Sequence, residues 1–127
     1  MTIIHVVQFQ FKPTASPEVI QDTCTRMLNL RENCIHPTTQ KPYIKASAGG
    51  KDNSIEGLQV CTRLLHLSSM VVLTAKNGIT HVFVVEFENE DDREYYVRTD
   101  PAHQAFVKSL DGVIEKAQVV DFTPGVF

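Results

Sequence analysis

Residues 79–106 read ITHVFVVEFENEDDREYYVRTDPAHQAF, and this stretch decides the fold. Ile79 to Glu88 alternates as a strand does: His81, Phe83, Val85 and Phe87 share one face, Val82 and Val84 the other. Asn89 is a suitable helix N-cap, and Glu90, Asp91 and Asp92 set acids against the positive end of the helix dipole. The helix that follows carries Tyr95 and Tyr96. Asp100-Pro101 breaks it, and Pro101 opens a second helix predicted to run through Phe106, Leu110 and Ile114. Gln118 to Thr123 predicts a closing strand, stopped by Pro124-Gly125.

Upstream, Ile3 to Phe11 is rich in β-branched and aromatic residues and predicts a strand, with Ile3, His5, Val7, Phe9 and Phe11 on one face. Ser16-Pro17-Glu18 is a helix start, and Ile20, Cys24, Met27, Leu28 and Leu30 follow at near-helical spacing until about Cys34. Tyr43 to Ala48 predicts a short strand, closed by Gly49-Gly50 and the polar turn at residues 51–54. The order is β-α-β-β-α-β, an α+β ferredoxin-like pattern with helices on one face of a four-stranded antiparallel sheet. The other sheet face is then apolar and needs a cover. A second copy packed sheet to sheet would supply one and form a dimeric α+β barrel.

Composition narrows the function. The 127 residues suit one domain, and 43% hydrophobic with 21% charged content is ordinary globular usage. Fifteen acids against twelve bases give −3, with no basic run, so neither nucleic acid nor an anionic membrane has an electrostatic footprint. The apolar stretches fall short of the roughly 20 residues a membrane span needs, and the N-terminus does not read as a signal peptide. Cys24, Cys34 and Cys61, an odd count without CxxC spacing, predict reduced thiols and a cytoplasmic protein. There is no HxxxH or paired-carboxylate ligand spacing, so no metal or cofactor is expected.

The opening IIHVVQFQFK (3–12), THVFVVEFEN (80–89), DPAHQAF (100–106) and VVDFTPG (119–125) together resemble the stress-response A/B barrel family. The resemblance implies a dimeric α+β barrel built from two ferredoxin-like protomers. Similarity to a plant polyketide cyclase of that family further implies a working set. His103 and Tyr96 would act together, with Tyr95 as the alternative register. His5 and His81 on two strands and Asp121 on the last strand would support them, and Met27 would line the pocket. By this implication His103 paired with Asp121 is a base, and Tyr96 donates to a carbonyl as enolate charge develops. The ligand would be a small aromatic or polyketide-like molecule, and the reaction a cofactor-independent aldol closure, isomerisation or decarboxylation. The competing reading is a non-catalytic stress-induced barrel in which His103 only pins the helix junction to Asp121. His36 and His66 have no supporting pattern.

One segment stands apart. Residues 60–76, VCTRLLHLSSMVVLTAK, have no acid, and removing them joins Gln59 to Asn77-Gly78 as a natural turn. A valine codon begins GT, a lysine AAG codon ends AG, and Leu73-Thr74 can encode a branch point. The segment therefore reads as a retained, translated intron, with a genuine inserted hairpin or helix over the barrel mouth as the alternative.

Overall fold

The computed structural model describes residues 1–55 and 78–127. The segment 60–76, with Cys61 and His66, lies outside the described residues. The described chain runs β1 (Ile3–Phe11), α1 (Pro17–Asn33), β2 (Ile44–Lys51), β3 (His81–Phe87), α2 (Glu90–Arg98), α3 (Pro101–Ser109) and β4 (Ile114–Phe122). The strands form one antiparallel sheet in the order β2-β3-β1-β4, the ferredoxin-like topology. Its central strands are β1 and β3, the two with the clearest alternation.

Burial along β1 alternates without a break, and its odd-numbered residues face the helices. All but His5 join Phe83, Val85 and Phe87 of β3, Met27 and Leu30 of α1, Tyr96 of α2 and Phe106 of α3 in one apolar core. Each such side chain contributes about 1.5–3 kcal/mol by leaving water. The opposite sheet face brings Val6 level with Val84 and Val120, and Ile4 level with Phe122. There Val84, Val120 and Phe122 are 39–48% exposed.

The helix starts follow their caps. Ser16 Oγ accepts from the Val19 N–H at 3.2 Å, and Asn89 Oδ1 accepts from the Asp92 N–H at 2.8 Å. Four boundaries or faces differ from the sequence reading. Strand β2 continues through Gly49 and Gly50 to Lys51, because Gly49 lies beneath the Phe83 ring, where a Cβ would collide. Helix α3 stops at Ser109, and Gly112, at φ +78°, turns the chain so that Ile114 begins β4. Strand β4 therefore starts earlier than Gln118. On α1, Leu28 is exposed, and the buried position beside Met27 belongs to Thr23, whose hydroxyl donates to the Val19 carbonyl at 2.8 Å.

Candidate acid–base cavity

A cavity of about 580 Å³ lies between the helices and the β1–β4 half of the sheet. Strand β1 contributes His5, Val7 and Phe9, and β4 contributes Ala117, Val119 and Asp121. Helix α2 supplies Arg93, Glu94, Tyr96, Val97 and Arg98. Met27 comes from α1, and His103, Phe106 and Val107 come from α3, with Leu110 beyond it. The walls are mostly apolar, with the polar groups gathered at one end.

The β1–β4 register places His5 opposite Asp121, and both side chains point to the helix-bearing face. Asp121 Oδ1 lies 2.7 Å from His5 Nδ1, and Asp121 Oδ2 accepts from Arg93 Nη1 at 2.7 Å. The Asp121 carboxylate thus holds the His5 ring in place through Nδ1. Arg93 also reaches Glu94 at 3.5 Å, and Arg98 Nε meets Glu94 at 2.7 Å. The four charged residues of the lining are thus paired with one another.

The His5 ring meets Tyr96 edge to face at 5.7 Å between centroids, and Tyr96 lies 3.9 Å from the His103 ring at 31°. Tyr96 is fully buried, and burial is the main cause that pushes its hydroxyl above the usual phenol range, with Cys34 and Asp100 adding to it. It remains a phenol and so a hydrogen-bond donor at neutral pH. Burial and then the neighbouring His5 lower the His103 pKa, against a smaller opposing effect of the Tyr96 carbonyl and Asp100. The His103 imidazole is therefore neutral at pH 7. Its Nδ1 is enclosed by protein without a geometrically good hydrogen-bond partner among the described residues.

A family model described as the stress responsive A/B barrel domain matches residues 62–124. The crystal structure of a protein from Arabidopsis thaliana is 31% identical, with 98% of this chain and 97% of that chain covered and a TM-score of 0.69. This chain belongs to the stress responsive A/B barrel family. Two further solved structures share the fold of this A/B barrel protein. One is a hydroxynitrile lyase from Passiflora edulis, at 18% identity and TM-score 0.69, covering 99% of this chain and 96% of that one. The other is a dimeric ferredoxin-like protein from Thermobifida fusca, at 20% identity and TM-score 0.62, covering 97% and 91%. No curated protein matches the chain.

In this A/B barrel protomer His5, Met27, Tyr96, His103 and Asp121 all line the cavity, whereas His81 and Tyr95 do not. His81 shares a sheet face with Val85 but sits four residues away, roughly 13 Å along the strand. There it contacts Thr80 Oγ1 at 2.8 Å and packs on Phe11. Tyr95 is turned about 100° from Tyr96 on the helix and joins Tyr43 and His36 instead. Tyr96 is thus the tyrosine in register with the cavity. The expected His103–Asp121 pair is also corrected. Asp121 holds His5 and Arg93, because the strand register, not sequence proximity, chooses its partner. Nor does Asp121 pin the helix junction: Asp100 Oδ1 caps α3 by accepting from the Ala102 N–H at 2.9 Å and the His103 N–H at 3.4 Å.

The sequence reading missed Arg93, Asp100 and Tyr43. Arg93 was legible in principle, since it lies three residues before Tyr96 and hence on the same helix face. Among the described residues, no group of three His, Cys, Asp or Glu side chains could hold a metal ion. None of the described helices is long and apolar enough to cross a membrane. Cys24 and Cys34 are free thiols, and burial with the nearby Asp100 pushes Cys34 up to about 12.

Proposed function

We propose that this A/B barrel protein is a cofactor-independent acid–base enzyme acting on a small aromatic or polyketide-like carbonyl compound. The observation that carries the reading is the contact of a half-buried His103 with the Tyr96 phenol in the wall of a largely apolar cavity. His103 Nε2 takes a proton from the substrate, and Tyr96 donates a hydrogen bond to the oxygen on which negative charge develops. Removing a proton from a carbon beside a carbonyl lets that carbon attack a second carbonyl, forming a carbon–carbon bond in an aldol closure. Removing the proton from a cyanohydrin hydroxyl forms a carbonyl and expels cyanide, the chemistry named by the Passiflora neighbour. Both reactions use the same base, and the Tyr96 donor meets the alkoxide oxygen in each. The proton held on His103 passes at the end to the new alkoxide or to the departing cyanide. Asp121 and Arg93 act through His5, holding its ring beside Tyr96.

A positioned base is worth about 10²–10⁴ in rate, and a donor aimed at a developing oxyanion about 3–4 kcal/mol. The apolar walls contributed by Phe9, Met27 and Phe106 keep water from the reacting atoms and strengthen both effects. In this reading the protomer works as a homodimer joined through the outer sheet face. The exposed Val84, Val120 and Phe122 and the dimeric Thermobifida relative support that assembly. The free thiols suit the cytosol.

Binding tests the site before any substrate is known. Titrating an aryl ketone into labelled protein should displace the NMR signals of His5, Tyr96, His103 and Met27 together. Saturating ketone that leaves these four signals unmoved contradicts the assignment.

A further inference from the structure

Behind the cavity wall, Asp100 is 1% exposed, an unusual place for a carboxylate. A buried charge persists only where donors surround it. Its Oδ1 takes the two N–H groups at the start of α3, which is all an N-cap requires. Its Oδ2 accepts from the Tyr43 hydroxyl at 2.5 Å. Tyr43 lies just before β2, and no capping rule calls for it. Its ring is fixed on three sides, by His36 at 5.9 Å, Tyr95 at 5.7 Å and Phe87 at 6.4 Å. Phe87 in turn touches Tyr96 at 5.0 Å.

Tyr43 therefore reaches the acid–base pair by two routes. One is a hydrogen-bond path through Asp100 to the backbone of His103. The other is a ring path through Phe87 to Tyr96. We propose that Tyr43, acting through the Asp100 carboxylate, is the positioning residue that sets the orientation of the His103 imidazole. The proposal rests on His103 being the proton acceptor for its functional meaning, but its geometry stands without that. Without the hydroxyl, the Asp100 carboxylate keeps only the two cap amides and the neighbouring Cys34 thiol as partners in a dry site. The first turn of α3 then shifts to find another donor, carrying His103 with it.

The test reads the imidazole directly and needs no substrate. Tyr43→Phe keeps the ring and removes only the hydroxyl, and Asp100→Asn keeps an oxygen for the cap while weakening acceptance from Tyr43. Long-range proton–nitrogen NMR of the histidine rings at neutral pH should show the His103 ring-nitrogen shifts displaced and its tautomer ratio changed in either variant, because the turn that carries the ring moves. His5, held by Asp121 on the opposite side, should keep its signature. Unchanged His103 tautomers in the folded variants, with only His36 and Tyr95 signals displaced, would overturn the proposal. Should Tyr43→Phe fail to fold, Asp100→Asn decides by the same signature. If His103→Ala retained full turnover, the catalytic reading would fail while this structural assignment stood or fell on the spectra alone.

Discussion

At the scale of single residues, His103 and Asp121 show why residue types are easier to read than their pairings. The Pro-Ala-His run and the final-strand acid were visible in the sequence as chemically useful groups. Which of them meet is decided by the β1–β4 register, and that put Asp121 on His5. The pH dependence of His103 follows from its burial. Its folded pKa lies below the ordinary 6.5, so the stability it contributes is complete above 6.5 and is lost as pH falls through the folded value. The melting temperature of wild type should therefore fall on acidification through that window, and His103→Gln should flatten this part of the profile. A proton-transfer rate that depends on neutral His103 falls over the same limb and is level at neutral pH. Asp121→Ala strips a partner from both His5 and Arg93. It should cost about 1–3 kcal/mol in chemical denaturation, as a buried polar group left unpaired does.

Among the elements, the three caps carry the local order. Ser16→Ala should lose about 1 kcal/mol, a helix cap alone. Asp100→Ala removes a cap and also takes the carboxylate acceptor from the half-buried Tyr43 hydroxyl, so a loss of about 2–4 kcal/mol is expected. The difference between the two variants in urea titrations measures what Tyr43 adds. Helix starts were legible because Ser16, Asn89 and Asp100-Pro101 act locally. Strand β2 was not, because Gly49-Gly50 looks like a turn until Phe83 is known to lie over it. Gly49→Ala sets a methyl against that ring and the Val82 carbonyl, and should destabilise by about 1–3 kcal/mol.

For the whole molecule, the ferredoxin-like order could be read from alternation in β1 and β3 and from the helix starts. What covers the outer sheet face is a matter between chains. Its Val84, Val120 and Phe122 predict a dimer in light scattering, and paired Val120→Lys and Phe122→Lys substitutions should yield the monomer. Residues 60–76 are answered by transcript reads across 59–77. The intron reading expects a spliced form lacking them, and a contiguous exon in every transcript contradicts it. The central claim is that His103 transfers a proton in the cavity. Its most direct test is kcat/KM on a poly-β-ketone thioester for wild type against His103→Ala. We expect cyclised product from wild type and a loss of about 10² or more in the variant. Equal rates for the two proteins, or none above buffer with wild type, would contradict the account.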